Sequence, residues 1–133
     1  MNDTSDFHPA VPLKPYLIRA MVQWCEDNGL RPYLVIQVDD GVQVPREYVR
    51  DGQIVLNVSS AAAHNADFGN EEITFAARFG MQASEIRVPV RAVIAAYPAE
   101  CPEAGFCLDY KPAADAQPAR TGSGKRLNIQ KIK

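Results

Sequence analysis

The pair Asp51-Gly52 constrains this chain more than any other two residues. A two-residue hairpin turn of type I′ needs positive φ at both central positions, and Asp-Gly tolerates that at low cost. The alternation that follows agrees with a strand: Ile54, Leu56 and Val58 fall on one face, Gln53, Val55 and Asn57 on the other. Gly41 to Asn57 therefore predicts a β-hairpin whose return strand is central, with one face in a core and the other partly covered. The leading strand carries Pro45, which cannot donate to a ladder, so it lies at an edge or is broken by a bulge. An edge beside an apolar strand is a place where another chain can dock.

The remaining elements are short. Pro15 suits the first turn of a helix over 15–28, and Asn28-Gly29 with Pro32 beyond supplies its stop. Leu17, Ala20, Met21 and Trp24 form one apolar sector of that helix, and Ile18, Val22 and Cys25 widen it to roughly 200°, twice an ordinary surface stripe. Such a helix packs on two surfaces: its own sheet and a partner, or two parts of one subunit. Tyr33 to Val38 reads as a strand. Ser59 to Asn70 reads as a loop holding His64. Ile73 to Phe79 is a strand with Ile73, Phe75, Ala77 and Phe79 on one face and Thr74, Ala76 and Arg78 on the other. The second face is an exposed surface with a solvated arginine, or a place where an extended peptide approaches small residues and Arg78 pairs with it. Glu85 to Val88 is a strand. Val90, Val93, Ile94 and Tyr97 follow at helical spacing between Pro89 and Pro98, predicting a short internal helix. Phe106 to Leu108 is a last strand.

Composition changes after Tyr110. Residues 111–124, KPAADAQPARTGSG, have no apolar periodicity and predict a flexible linker, as residues 1–13 predict a flexible N-terminus with a solvated His8. The chain then reads KRLNIQKIK over 125–133, where basic residues alternate with Leu127, Ile129 and Ile132. Basic charge with spaced aliphatics describes a short motif that docks on another protein. A basic arm for nucleic acid explains the charges and leaves the aliphatics without a role.

Several function classes are disfavoured. With 133 residues and 47% apolar content, the chain makes one domain with a core, and its net charge of −2 argues against bulk nucleic-acid binding. No apolar run approaches the roughly 20 residues of a membrane span, and MNDTSDFHPAVP lacks the features of a signal peptide, so the expected location is the cytoplasm. Three cysteines, Cys25, Cys101 and Cys107, then read as free thiols; Cys101 and Cys107 are close in sequence, but no nearby histidine supports a metal, and no cofactor is expected. No nucleophile elbow, zincin helix, Walker loop or dinucleotide fingerprint occurs, and Cys25 lies in an apolar arc that disfavours a thiolate. Pattern alone thus gives a β-rich single domain without a marked catalytic site.

VPREYVRDGQIVLN, Val44 to Asn57, followed by FAARFG, Phe75 to Gly80, resembles the stringent starvation protein B (SspB) family of adaptors for the ClpXP protease. The likeness starts near KPYLIRAMVQWCEDNGLRPYLVI, Lys14 to Ile36, runs to Tyr97, and resumes at the end of the chain. It implies a mainly β fold: a small Sm-like open barrel or two-sheet sandwich over 14–110, with an N-terminal helix, one short internal helix and a disordered tail. It implies homodimerisation through helix residues Leu17, Ile18, Met21, Val22, Trp24 and Cys25. It implies a groove for the ssrA tag built from Val44, Tyr48, Val49, Ala76, Ala77, Arg78 and Phe79, although alternation sets Ala76 and Arg78 opposite Ala77 and Phe79. It implies a docking motif for the N-terminal domain of ClpX at Arg126, Leu127, Ile129, Ile132 and Lys133. Two departures stand out: a short linker, at most about 45 Å extended and about 20 Å as a coil, and a lysine inside IQKIK where the family often has apolar residues. An Sm-like RNA-binding module is the alternative, and an enzyme finds no candidate residue.

Overall fold

A computed structural model describes residues 9–113. The expectations placed on residues 1–8, on the linker from 114, and on Arg126, Leu127, Ile129, Ile132 and Lys133 of the tail lie outside the described residues.

Helix α1 spans Lys14–Asp27 with Pro15 in its first turn. It ends in a Schellman motif: Leu30 N–H donates to the Cys25 carbonyl at 2.8 Å and Gly29 N–H to that of Glu26 at 3.3 Å. Seven strands follow, β1 (Pro32–Gln37), β2 (Gln53–Asn57), β3 (His64–Phe68), β4 (Glu72–Phe79), β5 (Gln82–Pro89), β6 (Val93–Pro98) and β7 (Phe106–Cys107). They form two open antiparallel sheets, ordered β2-β1-β6-β7 and β3-β4-β5. The mainly β architecture with one N-terminal helix agrees with the sequence reading.

Period-two alternation decides which residues enter the core. Leu34 and Ile36 of β1, Ile54 and Leu56 of β2, Ile73 and Phe75 of β4, and Ile86 and Val88 of β5 join one buried cluster with Ile18, Met21 and Cys25 of α1. Removing each such aliphatic side chain from water contributes roughly 1.5–3 kcal/mol. Burial pushes the Cys25 thiol pKa up, and its Sγ lies 3.7 Å from Met21 Sδ, so it behaves as an apolar group.

The helix therefore spends one face on its own subunit. Ile18, Met21 and Cys25, expected at a partner interface, are sealed in the core; Leu17 and Val22 are half-buried, and Trp24 is exposed. The wide apolar arc is split between core and rim. Tyr16, Ala20 and Trp24 lie on the solvent side, at i, i+4 and i+8.

Three other expectations change. The Asp51-Gly52 turn forms with φ of 53° and 76°, closed by reciprocal hydrogen bonds between Arg50 and Gln53 at 2.8 and 2.9 Å. The hairpin stops at that pair. β2 ladders with β1 instead and is the edge of its sheet rather than a central strand. Pro45 ends the leading segment, and a 3₁₀ turn at Arg46–Tyr48 replaces it. Only Gln43 of that segment bridges a strand, exchanging hydrogen bonds with Arg87 of β5 at 2.8 and 3.0 Å. The internal helix is reduced to a 3₁₀ turn at Val90–Ala92, after which Val93 to Pro98 is β6. The β-branched pair Val93-Ile94 and the open edge of β1 favour strand there over the helical spacing. Finally, the loop over 59–70 contains β3, which pairs with β4 through an irregular register between His64 and Asp67.

The C-terminal segment is fastened by a polar clamp. Leu108 N–H donates to Ile94 O at 2.9 Å and Lys111 N–H to Arg91 O at 3.0 Å. Lys14 Nζ donates to the carbonyls of Arg91 and Asp109, and Tyr110 Oη to Asp39 Oδ2 at 2.8 Å. At its centre Arg91 grips Asp39 through both terminal nitrogens, at 2.6 and 3.2 Å. The Arg91 guanidinium first, with Tyr110 and the Gly41 N–H, draws the Asp39 carboxyl down to about 2 against the effect of burial. A carboxyl with a depressed folded pKa adds stability that is fully present above its ordinary value and is lost as pH falls toward the folded one. Asp39→Asn is expected to cost about 1–3 kcal/mol at pH 7 in denaturant titration. That deficit should shrink as pH drops from about 4 toward 2, because the wild type loses the same charge. A deficit independent of pH would mean that packing, rather than the ion pair, is lost.

Candidate functional site

The clamp and a concavity beside Tyr48 lie at opposite ends of one hairpin. β4 and β5 pair without interruption from Glu72↔Pro89 to Phe79↔Gln82, and Gly80-Met81 turns the chain between them. Eight residues at about 3.3 Å each separate the two ends by roughly 25 Å. Gly80 has φ +63°, the pattern of a type II′ turn with glycine first.

Tyr48 arrives beside this turn from the 3₁₀ segment. Its ring lies 5.0 Å from that of Phe79, tilted by 44°. A Cβ on Gly80 would sit 3.3 Å from Tyr48 Oη, so glycine serves both the turn and the aromatic contact. The segment that carries Tyr48 is held from several sides. Val42 and Val44 are buried beneath it, Arg46 Nη2 donates to Val42 O at 3.0 Å, and Arg50 Nη1 to Glu47 O at 2.7 Å. The result is a depression of about 510 Å³ between Pro45, Glu47 and Tyr48 on one side and Phe79 to Ser84 on the other.

The expected groove residues divide into three groups. Tyr48 and Phe79 meet at the rim. Val44 and Ala77, each 9% exposed, support it from the core side, and half-buried Val49 packs against the same core. Ala76 and Arg78 are on the other face of β4, where Ala76 stands between His64 and Glu85 and Arg78 opposite Ala83. Neither of these two lines the Tyr48–Phe79 cleft, although Ala83, the partner of Arg78, does. Pro45, Glu47, Gly80, Met81, Gln82, Ala83 and Ser84 line the cleft without having been picked out from the sequence. The usable signal was Gly80, which sits between two predicted strands and marks the turn that closes the site.

The exposed lining of the cleft is more polar than apolar: Glu47, Gln82 and Ser84 carry polar side chains there, and Tyr48, Phe79 and Met81 supply apolar surface. The lining contains neither histidine nor cysteine. Among the described residues no group of three or more His, Cys, Asp or Glu side chains could hold a metal, and no helix is long and apolar enough to cross a membrane. A second depression, of about 530 Å³, adjoins Asp39, Arg91 and Tyr110, whose polar groups are already engaged in the clamp.

The sequence pattern of the family described as stringent starvation protein B matches residues 12–130, which takes in the helix, both sheets and the cleft. The chain belongs to the stringent starvation protein B family. A stringent starvation protein B homolog from Haemophilus influenzae is 47% identical over 90 residues. That alignment covers 67% of this chain and 60% of the relative, so it spans less than two thirds of the relative's own length. In this member of the family the two aromatic rings of the cleft come from the segments VPREYVRDGQIVLN and FAARFG, brought together by the β4–β5 hairpin and the 3₁₀ turn.

Proposed function

We propose that this chain is a non-enzymatic adaptor. Its cleft holds ssrA-type degradation tags on substrate proteins, and its tail docks on the N-terminal domain of ClpX, so that tagged substrates reach the ClpXP protease. The observation that carries this reading is the cleft itself: an open, aromatic-rimmed site beside an exposed hairpin, in a chain of this family. Such a site suits the side chains of an extended peptide better than a small polar substrate. Tethering makes the encounter of tag and unfoldase intramolecular, and two weak contacts then give efficient delivery through effective concentration. The solvent side of α1, with Tyr16 and Trp24 exposed, is offered to a second copy of the chain. A homodimer doubles the tails and the avidity. The adaptor works in the cytoplasm, where ClpXP acts, and needs no cofactor.

Degradation of an ssrA-tagged fluorescent protein by ClpXP, at limiting substrate, tests this. The full-length chain is expected to accelerate degradation. A version ending at Gly124 is expected to inhibit it, because a tailless domain still covers the tag. If neither changes the rate and a labelled tag peptide does not bind, the adaptor reading is wrong, and salt-sensitive RNA binding becomes the reading to test.

A further inference from the structure

Leu108 is the last described side chain that packs against the hydrophobic core, and Asp109, Tyr110 and Lys111 after it are exposed. These three residues are nevertheless bound, by polar groups from three separate parts of the fold. Lys14 opens α1, and its Nζ donates to the Asp109 carbonyl at 2.6 Å and to the Arg91 carbonyl at 3.0 Å. Arg91 lies in the turn between β5 and β6. Its carbonyl also takes the Lys111 N–H at 3.0 Å, and its Nη1 donates to the Lys111 carbonyl at 3.2 Å. Asp39, just beyond β1, accepts from the Tyr110 hydroxyl at 2.8 Å. Ordering a segment that buries no side chain costs backbone entropy, and exposed hydrogen bonds return little of it to the core. What these bonds fix is the place where the chain leaves the domain. It is the end of the β4–β5 hairpin opposite the cleft, roughly 25 Å away.

We propose that Lys14, Asp39, Arg91 and Tyr110 are positioning residues for the tether: they hold residues 108–111 as a strap, so that the tail starts from a fixed point remote from the cleft. The inference rests on the adaptor reading and adds to it what sets the reach of the tether. With the strap closed, only the chain after Lys111 is free to span the distance to the unfoldase. Opening the strap frees roughly 13 Å more of extended chain, in a linker that extends to about 45 Å. Reach then changes while the cleft and the tail stay as they are.

The test uses the full-length chain. Lys14→Met keeps the aliphatic stem and removes the donor, and Tyr110→Phe keeps the ring and removes the hydroxyl. Each is expected to speed hydrogen exchange at the Lys111 amide about tenfold or more and to leave the amides of β4 unchanged. In degradation of a tagged protein by ClpXP at limiting substrate, each is expected to shift the rate as inserting four Gly/Ser residues after Ala113 of the wild type does, in the same direction and by about 1.5-fold. Deleting residues 114–117 from Lys14→Met should restore the wild-type rate, a rescue that a merely structural role would not give. Unchanged exchange at Lys111, or a rate that does not follow linker length, overturns the inference; stimulation by the wild type then leaves the adaptor reading intact. If the wild type neither binds a labelled tag peptide nor stimulates degradation, the adaptor reading fails and this inference fails with it.

Discussion

Tyr48→Ala is expected to weaken tag-peptide binding roughly thirtyfold or more while leaving the thermal midpoint nearly unchanged. The asymmetry follows from where the ring sits. Tyr48 is 42% exposed and is carried by a 3₁₀ turn, so its removal opens no cavity in the core. Its ring nevertheless forms half of the aromatic pair at the rim of the cleft, 5.0 Å from Phe79. Large aromatic anchors at the centre of a binding surface commonly carry about 2–4 kcal/mol of the binding free energy. Tyr48→Phe separates the ring from its hydroxyl. It should retain most of the affinity if the ring is the anchor, because Oη faces the Gly80 turn rather than the open side. Isothermal titration with the tag peptide, alongside a thermal melt of each variant, checks both parts. A loss of affinity matched by a large fall in midpoint would make Tyr48 a structural residue.

Gly105→Val is the change expected to damage the fold most. Gly105 precedes β7, the two-residue strand that closes the sheet against β6 at Ala95↔Cys107 and Ala96↔Phe106. A Cβ there would collide with Tyr97 Cβ, and would stand 2.6 Å from the Ala96 carbonyl and 2.8 Å from Tyr97 Cα. Two of those three atoms belong to the backbone of β6 and cannot rotate away, so the strand must separate. With it would go Leu108 N–H to Ile94 O and the register of the Asp39–Arg91–Tyr110 clamp. Overpacking of this kind costs about 3 kcal/mol or more, a fall on the order of 10 °C in midpoint for a domain of this size. Because the cleft is at the far end of the β4–β5 hairpin, tag binding at low temperature should survive. Melts followed by circular dichroism, with peptide titrations at 10 °C, separate the two effects.

Much of this protein is legible in local sequence because its signals are local. Pro15 and Asn28-Gly29 bound α1 within a residue, and Asp51-Gly52 and Gly80 mark turns, since the conformations they permit depend on the residues themselves. Alternation likewise identifies Ile73, Phe75 and Ala77 as the core face of β4, and that same rule separates Ala76 and Arg78 from Phe79. Strand pairing is different, because a partner distant in sequence decides it. Val90, Val93, Ile94 and Tyr97 keep helical spacing, yet Val93 to Pro98 is β6, since β1 presents an open edge that only tertiary structure brings beside it. The hairpin failed for the same reason: β1 competes for β2 and wins, while Pro45 withholds the donor that the other pairing required. The sequence by itself determined the Asp51-Gly52 turn, the ends of the helix, the alternation of β2 and β4 and the family to which the chain belongs. Only the tertiary structure decided which strands pair, which helix face is spent on the core, and that Tyr48 meets Phe79 beside Met81. Those outcomes depend on competition among surfaces far apart along the chain, and no local pattern encodes which surface prevails.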